Sequence, residues 1–77
     1  MKAKFSYDDI VRIKPNAEFS SRRNERAWIV GIFEKWPVGG YFDKFPIGVV
    51  YSVEFEDGTS TEVHEDDLVL EESAPAN

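Results

Sequence analysis

Gly48-Val-Val-Tyr-Ser-Val-Glu-Phe-Glu-Asp-Gly-Thr-Ser-Thr-Glu-Val-His64 reads as one β-hairpin, and its register decides the fold. Val49, Tyr51, Val53 and Phe55 alternate with Val50, Ser52, Glu54 and Glu56, a period of two that gives a strand one apolar and one largely polar face. Asp57-Gly58 interrupts that run with a turn signal. A two-residue turn there would set Val53 opposite Glu62 and bury a carboxylate. A three-residue loop, Glu56-Asp57-Gly58 with a left-handed Gly58, instead pairs Phe55 with Thr59, Val53 with Thr61 and Tyr51 with Val63. That register gathers Ser52, Glu54, Ser60 and Glu62 on the wet face, and it is the one expected.

Outward from the hairpin, Asp9 to Lys14 reads as a first strand with Val11 and Ile13 on one face, ended by Pro15. Residues 16–25 have no steady period and read as a solvated loop. Arg26 to Glu34 is a second strand, apolar on both faces: Trp28, Val30 and Ile32 on one, Ile29, Gly31 and Phe33 on the other. A central strand, or one covered by a loop, has this pattern. Gly31 suggests a bend or the close approach of another chain segment. Lys35 to Ile47 holds four aromatics between two prolines and a Gly39-Gly40 turn, so it is a long aromatic loop rather than a regular element. After the hairpin, Glu65-Asp-Asp67 breaks the alternation as a single tight turn, and Leu68 to Leu70 forms a last strand. The expected fold is all-β: a small five-stranded SH3-like barrel over residues 1–70, with the aromatic loop between strands 2 and 3 and a flexible tail over 71–77. An open, strongly curved sheet with that loop as its lid is the alternative.

Seventy-seven residues suffice for one domain, which hides only roughly 60% of its unfolded surface. No cysteine is present, so neither disulfides nor a thiolate metal site can reinforce it, and a reducing compartment is its natural home. The net charge of −6 argues against nucleic acid as a partner and suits a basic protein. Met1 to Phe5 is too short and polar for a signal peptide, and no apolar run approaches membrane-spanning length. A soluble, cytoplasmic protein is expected, with no membrane partner.

Catalysis has little to work with. His64, the one histidine, falls on the outward face of the hairpin opposite Val50 and reads as an exposed side chain near a turn. A small metal-dependent enzyme built on His64 and its neighbouring carboxylates is the weakest of three function classes, and no cofactor, metal or catalytic residue is assigned. Binding is better supported. Trp36, Tyr41, Phe42 and Phe45 are ring anchors of the kind protein interfaces favour, although the same rings could cap a core too small by itself. A cage for a cationic side chain, as in Tudor-like domains, is a further reading of them. Glu54, Glu56, Glu62, Asp66 and Asp67 form an acidic rim able to steer a basic partner. Arg22, Arg23 and Arg26 make a small opposite patch within a solvated loop.

Three segments together resemble the immunity protein 31 family of bacterial polymorphic toxin systems. They are Ala27-Trp-Ile-Val-Gly-Ile-Phe-Glu34, the proline-flanked loop Pro37-Val-Gly-Gly-Tyr-Phe-Asp-Lys-Phe-Pro46, and the Glu54-Phe-Glu-Asp-Gly58 hairpin running through Glu62-Val-His-Glu-Asp-Asp-Leu68. The resemblance spans residues 5 to 70 and rests most on the aromatic loop, since Glu-Asp-Gly hairpins are common in SH3-like and Tudor-like domains. It implies a small, mostly β protein that binds and neutralises the toxin encoded beside it, without chemistry of its own. An SH3-like or Tudor-like adaptor for a peptide or a modified cationic side chain is the alternative. Replacing Tyr41 or Phe42 by Ala is expected to weaken partner binding by more than about 1 kcal/mol in a calorimetric titration. A loss of thermal stability with unchanged binding would assign the loop to the core instead.

Overall fold

In a computed structural model, which describes residues 2–18, 22–35 and 44–75, the chain is all-β. Its elements are β1 (Ile10–Ile13), β2 (Arg26–Phe33), β3 (Val50–Phe55), β4 (Ser60–His64), one turn of 3-10 helix (Glu65–Asp67) and β5 (Leu68–Glu72). The strands form one antiparallel sheet in the order β4-β3-β2-β1-β5. That sheet is not closed: β4 and β5 are its edges, where the sequence suggested a barrel. The aromatic loop lies almost wholly outside the described residues, so its role as a lid does too. Among the described residues no helix is long and apolar enough to cross a membrane.

The hairpin has the expected register, with Tyr51 opposite Val63, Val53 opposite Thr61 and Glu54 opposite Ser60. Gly58 closes the three-residue loop at φ +85°, a conformation that costs a side-chain-bearing residue energy. Its amide donates to the Phe55 carbonyl at 3.0 Å, and the Phe55 amide donates to the Thr59 carbonyl at 2.8 Å. The inward residues of this hairpin join Val11 and Ile13 of β1, Ala27 and Ile29 of β2 and Leu68 of β5 in one core. β2 lies at the centre of the sheet, hydrogen-bonded to β1 on one side and β3 on the other.

One feature of β2 departs from the period. The register against β3 shifts between Ile29 and Gly31, leaving Val30 as an extra residue that is 41% exposed. A bulge of this kind reverses which alternate residues face inward. Ile29 and Ile32 therefore point to the core, opposite Val53 and Tyr51, while Gly31 and Phe33 turn outward, opposite Ser52 and Val50. Gly31 meets a neighbour closely, as its sequence position suggested: a Cβ there would stand 2.9 Å from the Ser52 Cβ.

The lead-in before β1 and the residues just after β5 are tied to the sheet by buried polar groups. Tyr51 presents its hydroxyl to the lead-in segment, accepting from the amides of Lys4 at 3.0 Å and Phe5 at 3.2 Å and donating to Glu65. Burial and the Glu65 carboxylate push the phenol up to about 12. Phe5 packs edge-on against the same ring, with centroids 5.3 Å apart. Asp9 accepts from the Ser6 amide at 2.8 Å and the Ala74 amide at 2.7 Å. Residues 71–74, expected as the start of a flexible tail, are thus held: β5 runs to Glu72 and Ala74 is bonded to Asp9. Tyr51→Phe is expected to lower stability in urea unfolding by about 1–3 kcal/mol, because the buried Phe5 amide loses its acceptor. An unchanged midpoint would mean that the lead-in gains nothing from this bond.

Candidate functional site

The outward face of β2, β3 and β4 is built of three cross-strand rows. The first is Trp28, Glu54 and Ser60; the second is Gly31, Ser52 and Glu62; the third is Phe33, Val50 and His64. Alternation along each strand puts these nine residues opposite the core. The rows differ in cover. Glu54 and Glu62 are half-buried and Ser60 is exposed, whereas Val50 and His64 are sealed at 0% and 2% exposure.

The chain leading into β3 seals that third row. A Cβ on Gly48 would stand 2.4 Å from His64 Nε2, so only glycine, here at φ +151°, lets the segment lie against the ring. The imidazole is fully used as a structural cap: Nδ1 accepts the Asp66 amide at 3.1 Å, opening the 3-10 turn, and Nε2 faces the Ile47 carbonyl at 3.4 Å. His64 therefore lies on the expected side of the sheet and opposite the expected Val50, but it is buried rather than exposed. Strand period fixes a face, and the covering Ile47 and Gly48 decide exposure. Among the described residues, no three His, Cys, Asp or Glu side chains are grouped to hold a metal.

The acidic rim divides. Glu54 and Glu62 sit together in the open rows, Glu56 is exposed beside the hairpin loop, and Asp66 has 78% of its side chain exposed beyond the His64 end. Asp67 is buried at 8% and does not belong to an accessible rim. Its place as the last residue of the 3-10 turn, with its carbonyl accepting the Lys14 amide at 2.8 Å, packs it against β1. Of the four ring anchors, Trp36, Tyr41 and Phe42 lie outside the described residues. Phe45 is buried at 5%, with Lys44 Nζ 5.1 Å from its ring centroid, so it is packed within the protein instead of displayed. Trp28, which the sequence marked only as a strand residue, shares a row with Glu54 and adds a half-buried ring to the acidic face. Pairing β2 to β3 in register was the signal that could have found it.

The arginine patch is a clamp rather than a solvated loop. Arg22 places its guanidinium carbon 3.7 Å from the Phe55 ring centroid, pairs with Glu25 at 2.6 Å and Asp57 at 3.1 Å, and donates to Thr59 Oγ1 at 2.5 Å. This bond pattern pulls the Glu25 carboxyl below its usual range. Arg23 donates to the Ala17 carbonyl at 2.6 Å. Arg26 faces Glu71 at 3.5 Å and Glu72 at 3.9 Å, and Arg12 pairs with Glu71 at 2.8 Å. Arg22, Glu25, Arg26, Glu56 and Asp57 line an open cavity of about 360 Å³ beside the hairpin loop.

Hydrogen bonds from the Thr59 hydroxyl and amide, reinforced by Arg22, hold the Asp57 carboxyl down at about 2. A carboxyl depressed in the fold stabilises it above the unfolded value of about 3.9 and loses that contribution as the pH falls toward the folded one. At low salt, Asp57→Asn is expected to flatten the fall in unfolding midpoint between about pH 4 and 2. An acid limb identical to the parent's would remove Asp57 from the clamp.

Compared with known proteins, the chain matches no protein-family model, no curated protein and no solved structure.

Proposed function

We propose that this chain is a non-enzymatic immunity protein that binds and neutralises a cognate, basic bacterial toxin in the cytoplasm, on an SH3-like scaffold. The observation that carries the reading is the outward hairpin face, where Glu54 and Glu62 lie in adjacent rows with Glu56 and Asp66 at either end. Charge of one sign on a rigid sheet speeds the encounter with an oppositely charged partner and orients it. Trp28 supplies an aromatic surface beside it, and Trp36, Tyr41 and Phe42 are the proposed further anchors. Five strands in the order β4-β3-β2-β1-β5, with a 3-10 turn before the last, support the SH3-like assignment. The resemblance to the immunity protein 31 family supports the toxin as partner.

The same element order favours a second reading, an SH3-like or Tudor-like adaptor for a proline-rich or methylated-lysine peptide. Titration with such peptides separates the two, because a toxin blocker ignores both. For the leading proposal, the test is co-expression with the polypeptide encoded beside this chain. Co-purification of the two, rescue of growth, and at least a tenfold loss of affinity in a Glu54→Lys, Glu62→Lys variant are expected. A neighbouring polypeptide that is harmless, or that binds the variant as tightly as the parent, would refute it.

A further inference from the structure

We propose that Asp57-Gly58 is a site of spontaneous backbone modification, isomerisation of the aspartate to isoaspartate through a cyclic imide, and that Arg22 and Thr59 hold this reaction back in the folded protein. The proposal concerns the lifetime of the hairpin and does not depend on what the protein binds.

The reaction is intramolecular. The Gly58 nitrogen bonds to Cγ of Asp57, a carboxyl C–O bond breaks, and the amide proton leaves with the hydroxyl as water. Water then opens the imide at either carbonyl. Opening at Cγ restores aspartate, whereas opening at the main-chain carbonyl routes the backbone through Cγ and lengthens it by one methylene. No reagent besides water takes part. Residue type decides where this happens: Asp57 is the one Asp or Asn in the sequence that precedes a glycine. With no Cβ on the following residue, the attacking nitrogen is little hindered and its backbone turns freely. The step also needs the neutral acid, since a carboxylate has no hydroxyl to release.

Packing does not shield the reacting groups. A Cβ on Gly58 would meet no atom within 4 Å, and the Asp57 side chain is 55% exposed. Hydrogen bonds do, because both groups are engaged. The Gly58 N–H donates to the Phe55 carbonyl at 3.0 Å. Asp57 Oδ1 accepts the Thr59 amide at 3.0 Å and its hydroxyl at 2.6 Å, and Oδ2 accepts from Arg22 at 3.1 Å. These bonds favour the carboxylate, which is why Asp57 is held down at about 2 and the neutral acid is scarce at neutral pH. The two guards are linked: Arg22 also donates to Thr59 Oγ1, and its stacking on Phe55 fixes it against the hairpin. Exposed ion pairs add little stability. Their role at this loop is kinetic. An added methylene would lengthen the three-residue loop on which the β3–β4 register depends.

The test is incubation of the full chain at neutral pH in water enriched in the heavy oxygen isotope, since each passage through the imide leaves one heavy oxygen at residue 57. Mass spectrometry of the digested chain reads the turnover, and chromatography separates the isoaspartyl peptide. Turnover is expected to be at least about tenfold slower in the folded protein than in guanidinium chloride, the factor that one unit of carboxyl pKa supplies. Thr59→Val and Arg22→Ala, each removing one guard, should raise it at least about threefold in the folded protein. Arg12→Ala, which breaks a comparably exposed pair away from the loop, should leave it unchanged. The isoaspartyl fraction should unfold at a lower urea midpoint than the parent. Equal turnover in the folded and denatured chains, or none in either, would overturn the proposal. So would parent-like turnover in both guard variants, an equal rise in Arg12→Ala, or an isoaspartyl fraction as stable as the parent.

Discussion

The hairpin register is the constraint on which the remaining structure depends. Once Gly58 takes a left-handed conformation and closes a three-residue loop, Tyr51, Val53 and Phe55 must share a face, and Ser52, Glu54, Ser60 and Glu62 must share the other. The inward set provides the largest side chains of the core, and Tyr51 then ties down the lead-in through its hydroxyl. The outward set becomes an acidic surface with no further choice of orientation. A slip of one residue would bury carboxylates and expose rings, so the same turn protects both the fold and the surface.

A second division concerns where the arginines go. Arg22 stacks on Phe55 and binds Glu25 and Asp57, bracing the loop before β2 against the hairpin turn, while Arg12 and Arg26 meet Glu71 and Glu72 across β1, β2 and β5. These pairs are well exposed, so their worth to stability is modest. Their consequence for the field around the molecule is larger, because carboxylates at the β5 end are offset by their own chain.

Much of this was legible in the residues themselves. The strands follow from runs of alternating Val, Ile, Phe and Tyr, and the hairpin register from weighing one buried glutamate against none. Other features needed coordinates because they arise from contacts between distant segments. The bulge at Val30 has no local signature beyond a neighbouring glycine, yet it turned Phe33 outward and Ile32 inward. His64 keeps its side of the sheet but is sealed by Gly48 and by the Ile47 carbonyl seventeen positions before it, a separation that strand period does not relate. Phe45 could be read as an anchor or as a core cap and is buried, while Asp67 looks like a surface residue by composition and is buried too. Arg22 read as a loop cation because its partners, Asp57 and Phe55, lie more than thirty positions away.

The central claim is that a carboxylate-bearing hairpin face captures a basic protein. It is tested most directly by the association rate constant of this chain with its proposed partner, the polypeptide encoded beside it, followed by stopped-flow fluorescence between about 20 and 500 mM salt. Electrostatic capture predicts a rate that falls at least about tenfold across that range. A rate that stays level while the complex still forms would contradict it, and would place recognition on apolar contact instead.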